Sequence, residues 1–223
     1  MGQPILFLFA LGFGLGPIFQ KAGQGSYIQF LTPGIIAMSI LFTAIFSGIE
    51  IIWDRQFGFL KETLVAPVSR FEIMLGRTLG GATVATFQGL IVFLISLLAG
   101  FRPQALTGIV LGCFLMFLTS ILFTALGTAI ASVLEDMQGF QLIMNFLIMP
   151  LFFLSGALFP LKGLPGLLGL ITLLDPLTYG VDALRGALLG MSHFGLFTDI
   201  GLLTLFSIIL LGIGSYLFSK IQI

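Results

Sequence analysis

The fold is decided by one charged stretch that runs from Glu50 to Arg77, EIIWDRQFGFLKETLVAPVSRFEIMLGR. It holds eight of the eighteen charged side chains (nine basic and nine acidic) in the 223 residues, and long uncharged apolar runs lie on both sides of it. A charge costs about 2.5–3.5 kcal/mol at the centre of a bilayer, so this stretch cannot lie in hydrocarbon. We interpret it as an aqueous loop between membrane-spanning helices and call residues 50–77 the charged loop.

The charged loop has a helical pattern of its own. Trp53, Phe57, Leu60 and Leu64 recur at spacings of four, three and four, which places them on one face of a helix. Pro67 ends this helix, because the residue before a proline is pushed out of the α region. The pattern therefore predicts an amphipathic helix that lies on the membrane face.

A second helix begins directly after this break. Ser69 is followed three residues later by Glu72, which is the capping-box pattern of a helix N-terminus. The chain then re-enters the bilayer. Two interpretations of the charged loop remain open: an amphipathic segment that rests on lipid headgroups, or a docking element for a partner protein.

The composition identifies an integral membrane protein. Hydrophobic residues make up 58% of the chain and charged residues 8%, whereas a soluble domain carries about 25% charged residues. The formal net charge is zero, so nothing indicates a nucleic-acid partner. The single cysteine, Cys113, excludes a disulfide within the chain.

The predicted fold is an all-α integral membrane protein with six transmembrane helices in a single domain over residues 1–223. The uncharged runs place these helices at about residues 3–17, 30–49, 78–99, 107–133, 139–158 and 200–218. The first run is short for a span of about 20 residues. A secretory signal has Lys or Arg before its apolar run, and neither residue precedes this one. We therefore expect that a cytoplasmic lead-in before the first helix is missing.

The segment between the fifth and sixth helices, residues 159–199, is of a different kind. It is too apolar for an ordinary loop, yet Pro160, Pro165 and Pro176 divide it into short pieces. Two half-length helices on either side of this last proline predict a re-entrant or interfacial hairpin. Asp182 and Arg185 lie one helical turn apart in it, and a salt bridge between them would reduce their cost of burial.

Six crossings place both termini on the same side of the membrane as the charged loop. That side carries five Lys and Arg residues and the other side four, so the positive-inside bias is slight. Four of the five lie in the charged loop. This cluster favours a cytoplasmic charged loop and cytoplasmic termini.

Several kinds of chemistry are excluded by the motifs that the chain lacks. It contains no G-x-x-x-x-G-K-[ST], no H-E-x-x-H and no G-x-S-x-G, and His193 is its only histidine. The middle of helices two to six holds no ionisable side chain, which disfavours a proton-driven carrier. If the protein moves something, the energy enters from outside the chain, and the charged loop is the place where a soluble motor could bind.

The remaining polar and small residues in the spans predict contacts between helices. The amides are chiefly Gln88, Gln141 and Asn145, and amides in spans usually form interhelical hydrogen bonds. The glycine pairs 76/80 and 108/112 have the spacing of close helix packing.

Two motifs in this chain resemble those of a known family. The first is SGIEIIWDR at residues 47–55 with GFLKETLVAPVSR at 58–70; the second is LSGALFP at 154–160 with DPLTYGVDALR at 175–185. The pair resembles the ABC-2-type transporter permeases, and most closely the daunorubicin-resistance branch of multidrug and lipid exporters. Asp175 departs from the family, which more usually has Asn there.

The resemblance implies a permease subunit in the cell membrane, which pairs with a second permease subunit as a homodimer or heterodimer. Two ABC ATP-binding subunits would bind ATP and Mg²⁺, and this chain would bind no cofactor or metal and would have no catalytic residue. It would move a hydrophobic or amphipathic substrate (a drug, lipid or glycolipid) outward by alternating access. Rival interpretations are a secondary carrier or channel that works alone, and a membrane scaffold without transport.

The resemblance also implies roles for particular residues. The charged loop would hold the coupling helix that docks on the ATPase, through Phe57, Leu60, Glu62, Leu64, Pro67, Ser69 and Arg70. The outer re-entrant hairpin would be shaped by Pro160, Asp175, Pro176, Tyr179, Asp182 and Arg185.

Overall fold

A computed structural model describes residues 2–21, 25–65, 67–161 and 166–221, apart from the side chains of Leu64 and Leu167. Within these ranges the chain forms ten helices and no strand. In chain order they are α1 (Gly2–Lys21), α2 (Tyr27–Phe46), α3 (Ile49–Gln56), α4 (Phe59–Val65), α5 (Arg70–Leu98), α6 (Leu106–Val133), α7 (Met137–Leu154), α8 (Gly166–Leu174), α9 (Pro176–Leu189) and α10 (Leu196–Ser219).

Six helical segments in the described ranges are long and apolar enough to cross a bilayer. They are α1, α2 continued by α3, α5, α6, α7 and α10. The predicted all-α fold with six membrane-spanning helices is therefore confirmed. The structure shifts some helix ends: α5 begins at Arg70 rather than near residue 78, and α7 ends at Leu154 rather than near residue 158.

The centre of the bundle is α2. Every residue from Leu31 to Leu41 is buried, which is expected for a helix that is apolar on all faces. It packs against α1, α5, α6 and α9, while α10 packs against α6 and α9. The ends of α2 therefore connect the core directly to one end of the bundle at Tyr27 and to the charged loop, at the opposite end, after Phe46.

Glycines bring α2 and α6 into backbone contact beside the charged loop. A Cβ on Gly48 would collide with the backbone of Gly127, and a Cβ on Gly127 would collide with that of Ile45. Of the predicted glycine contacts, the pair Gly108 and Gly112 does pack against another helix, at Ala187 and Leu188 of α9.

The predicted helix contact at Gly76 and Gly80 does not form between described residues of this chain. A Cβ on either residue would meet no atom within 4 Å among the described residues. Likewise, Gln141 and Asn145 are exposed on α7 and form no side-chain hydrogen bond within the ranges described, so the predicted interhelical bonds do not form there. These residues lie on the outer surface of the bundle.

Candidate functional site

The charged loop folds into two short helices that lead into α5. α3 continues α2, Gly58 turns the chain with a φ of +83°, and α4 follows. The predicted capping box is present at the start of α5. The Ser69 N–H donates to Oε2 of Glu72 (2.8 Å), and the Glu72 N–H donates to Oγ of Ser69 (3.2 Å).

The predicted single apolar face through Trp53, Phe57, Leu60 and Leu64 is wrong. The positive φ of Gly58 is a conformation that L-residues rarely adopt, so the helix cannot continue past it. As a result Phe57 is 70% exposed, whereas Leu60 is 2% exposed and belongs to the core of the bundle. The side chain of Leu64 lies outside the part of the chain that the structure describes.

α3 is attached to the turn between α6 and α7. Arg55 donates from Nη1 to the carbonyl of Leu134 (3.0 Å) and from Nη2 to that of Ser132 (2.9 Å). These carbonyls belong to the last turn of α6, where backbone acceptors have no partner within the helix and the helix dipole favours a cation. The indole N–H of Trp53 donates to Sδ of Met137 (2.9 Å) at the start of α7. α3 therefore connects to both neighbouring helices.

A salt bridge links α3 to α5. Arg77 donates to a carboxylate oxygen of Asp54, and the two side chains are 19% and 29% exposed. An ion pair near the surface contributes about 0–1 kcal/mol. It orients the start of α5 relative to α3 more than it stabilises the fold.

The charged loop also exposes a set of large apolar side chains, which we call the loop patch. Its members are Phe57, Phe59, Val65, Val68 and Phe71. Val65 is 84% exposed and Phe59 is 58% exposed. Exposed apolar groups between charged ones mark a surface that contacts protein or membrane.

The predicted docking residues fall into two groups. Phe57 belongs to the loop patch, and Glu62, Pro67 and Ser69 are exposed beside it. Leu60 is buried, as described above, and Arg70 is partly buried. A continuous helical period does not predict the exposure of Phe59, Val65 and Phe71. The one signal for it in the sequence is Gly58, whose tolerance of positive φ breaks the period.

At the end of the bundle opposite the charged loop lie α8 and α9. Asp175 caps α9 by accepting a hydrogen bond from the Leu177 N–H (2.9 Å), and Pro176 occupies the first turn of α9. The hydroxyl of Tyr179 donates to the carbonyl of Leu173 in α8 (2.6 Å). Burial raises the pKa of Asp175 to about 7, and its hydrogen bonds only partly oppose this.

Most of α9 is buried, at the end of the bundle opposite the charged loop. Pro160, which precedes α8, is exposed. The predicted break at Pro165 lies outside the described residues.

The predicted salt bridge between Asp182 and Arg185 does not form. The carboxylate of Asp182 accepts the N–H groups of His193 and Phe194 and the hydroxyl of Ser192, at 2.7–3.1 Å. Arg185 donates instead to the carbonyls of Gly156 (3.1 Å) and Phe30 (3.4 Å). The carboxylate binds the backbone of the loop after α9, because the N–H groups of that loop have no other partner there.

Comparisons with known proteins agree on one family. A family model described as ABC-2 type transporter matches residues 1–189. The chain is 31% identical over 190 residues to the putative transport permease ycf38 of Cyanophora paradoxa, covering 82% of this chain and 64% of that protein.

Two bacterial relatives are also similar. Nodulation protein J of Rhizobium meliloti is 28% identical over 94% of this chain and 80% of its own length. The inner membrane transport permease YadH of Escherichia coli is 30% identical over 81% of this chain and 70% of its own length.

Proposed function

Because the chain belongs to the ABC-2 type transporter family, we propose that it is the membrane-spanning permease subunit of an ATP-binding-cassette exporter. The family consists of transport permeases, so the chain is a transporter component and not an enzyme. Membership also implies association with an ABC ATPase. The finer proposal is that two ATPase subunits and a second permease subunit complete the transporter.

The observation that carries this proposal is the loop patch. Charged side chains such as Lys61 and Glu62 hold its segment in water, yet Phe57, Phe59 and Val65 are exposed there. A soluble subunit that buries these side chains and contacts the flanking charges removes apolar surface from water, which stabilises the complex by about 25 cal/mol per Å². We assign this role to the ATP-binding subunit, on the cytoplasmic face of the cell membrane.

The contacts of α3 supply a route from the loop patch to the spans. Arg55 holds the end of α6, and Asp54 pairs with Arg77 at the start of α5. A movement imposed on α3 by the ATPase therefore displaces both helices. In the proposed cycle, closure of the two ATPase subunits moves the charged loops, and the paired bundles open outward to release a hydrophobic or amphipathic substrate.

Charge placed in the loop patch tests the docking step. Phe59→Asp and Val65→Asp are expected to abolish co-purification of the permease with the ATP-binding subunit and the ATP-dependent transport of the complex. Gln20→Asp is the matched control, because Gln20 is exposed at the opposite end of the bundle, on α1. Each variant is checked for membrane insertion by its yield and thermal unfolding in nanodiscs.

The outcome separates the proposal from its rivals. Retained co-purification and transport in both variants contradict docking through the loop patch. Substrate flux in vesicles that contain the permease without ATP or an ATPase would identify a self-sufficient carrier or channel. Recruitment of the ATPase without flux in the presence of ATP would identify a scaffold.

A further inference from the structure

A cavity of about 730 Å³ opens at the outer end of the bundle, opposite the charged loop. Its walls come from the end of α1, the start of α2, the α5–α6 and α7–α8 connections, α9 and the loop after α9. The charged or titratable side chains that line it are Arg102, Asp182, Arg185 and His193. Two arginines and one aspartate give the described lining an excess of one positive charge.

Arg185 is the group that gives the cavity its chemistry. Its side chain lies in the cavity wall and is only 8% exposed, with its guanidinium carbon 4.2 Å above the centre of the Phe30 ring. Nη2 donates to two backbone carbonyls, whereas Nε is buried without a hydrogen-bond partner in the described chain. Nη1 takes part in no hydrogen bond between described residues. The guanidinium therefore keeps donors that the protein does not use.

The nearby carboxylate of Asp182 attracts this cation but does not contact it. Asp182 is directed at the backbone N–H groups of His193 and Phe194 and at the hydroxyl of Ser192, and it forms no salt bridge with Arg185. A buried cation without an anion in contact is costly, and a ligand that brings a negative charge relieves that cost. An arginine with free donors fits the oxygens of a phosphate in particular.

A second cation and a fixed loop complete the polar side of the cavity. Arg102 is exposed. The side-chain amide of Gln29 donates to the backbone carbonyl of Arg102 (3.2 Å) and accepts from its N–H (2.9 Å). This pairing holds the Arg102 segment against the start of α2. The remaining walls are largely apolar and include Phe19, Leu189 and Met191. Such a site accepts an anionic head on an apolar body.

We propose that this outer cavity binds the phosphate group of an amphipathic phosphate ester, with Arg185 as the buried contact and Arg102 as the contact at the mouth. The phosphate belongs either to a phospholipid of the outer leaflet or to a soluble phosphate ester. The apolar walls favour the phospholipid. The proposal does not depend on docking of an ATPase at the charged loop.

The test measures retained lipid. Purified full-length protein is placed in nanodiscs of phosphatidylcholine with or without phosphatidylglycerol, released from them, and analysed by native mass spectrometry for bound phosphatidylglycerol. We expect retention by the wild type to fall at least tenfold in Arg185→Gln and in Arg102→Gln. Lys21→Gln is the matched control, since it removes one positive charge from the same end of the bundle without lining the cavity.

A second arm uses soluble glycerol phosphate, with thermal stabilisation of the protein in detergent as the readout. If glycerol phosphate stabilises the wild type but neither arginine variant, the phosphate site is supported and its ligand is a soluble ester. If the wild type retains phosphatidylglycerol and glycerol phosphate has no effect, the ligand is the phospholipid. Each variant also loses two hydrogen bonds to backbone carbonyls, but Arg185 is buried and Arg102 is exposed, so Arg102→Gln keeps the test decisive if the first variant does not fold. Equal retention in Arg102→Gln, Lys21→Gln and wild type, with no effect of glycerol phosphate, overturns the proposal.

Discussion

Replacing Arg55 with methionine tests whether α3 is held on the end of α6 by this one side chain. Methionine keeps a long apolar chain but removes both donors, which leaves the carbonyls of Ser132 and Leu134 without their present partner. Gln56 still reaches the carbonyl of Glu135 (3.3 Å), and Trp53 still contacts Met137. We expect α3 to separate from the α6–α7 turn far more often, while the transmembrane bundle stays folded.

The size of the effect follows from the two bonds. A hydrogen bond to a charged group contributes about 1.5–3 kcal/mol. Arg55 is partly buried, so the lower value applies to each bond, and the pair contributes about 3 kcal/mol. At 1.36 kcal/mol for each factor of ten, the opening equilibrium of α3 shifts by roughly 150-fold.

Hydrogen–deuterium exchange of the α3 amides reports this equilibrium, because a helix as short as α3 unfolds readily once it has lost its packing contacts. The protein is kept in nanodiscs, and the exchange rate of the peptide that covers residues 49–57 is compared between wild type and Arg55→Met. Trp53 is the only tryptophan of the chain, so a red shift of its emission reports the same opening. The control is Lys61→Met, because Lys61 is exposed on α4 and its side chain forms no hydrogen bond within the described ranges.

An acceleration of less than threefold in Arg55→Met, or the same acceleration in Lys61→Met, refutes the reasoning. The first result would mean that the backbone of α3 is held by its apolar residues alone. The second would mean that loss of positive charge, rather than loss of the two hydrogen bonds, loosens the loop.

Two further predictions concern packing and pH. Gly127→Ala should lower the free energy of unfolding by about 1–3 kcal/mol, because the new methyl group collides with the backbone of Ile45. Gly80→Ala is the control and should cause no loss, because its methyl group meets no atom within 4 Å. Thermal unfolding of both variants in the same detergent measures the difference. The pKa of Asp175 is raised to about 7 by burial, so the wild type should lose stability relative to Asp175→Asn as the pH rises from about 4 to 7, with no further change above that range. Asn keeps the acceptor for the Leu177 N–H, and a stability difference that is independent of pH would contradict the raised pKa.

The parts of the fold that the sequence predicts are those set by local chemistry. Six long apolar segments predict six spans wherever the neighbouring helices lie, because the bilayer sets the required length. The capping box of Ser69 and Glu72 needs only residues three positions apart. The cap of α9 by Asp175, followed by Pro176, is equally local.

The parts that the sequence does not predict depend on distant residues. Leu60 has the spacing of an exposed docking face, but the chain turns at Gly58 and places its side chain in the core. Asp182 and Arg185 have the spacing of a salt bridge, but each forms hydrogen bonds with backbone groups elsewhere instead. The carboxylate accepts hydrogen bonds from backbone N–H groups eleven and twelve positions further on. The guanidinium donates to the carbonyl of Phe30, 155 positions away.

These outcomes have a common physical cause. Among the residues that the structure describes, the only salt bridge joins Arg77 to Asp54. Arg55 and Arg185 donate to backbone carbonyls, and Asp175 and Asp182 accept from backbone N–H groups. A bundle of apolar helices leaves the backbone groups at each helix end as its main unsatisfied polar atoms, and charged side chains satisfy them better than neutral ones. These four charges therefore fix the backbone geometry at or beside helix ends, so that a substitution at one of them which conserves net charge but moves the donor or acceptor is expected to disturb transport as much as one which removes it.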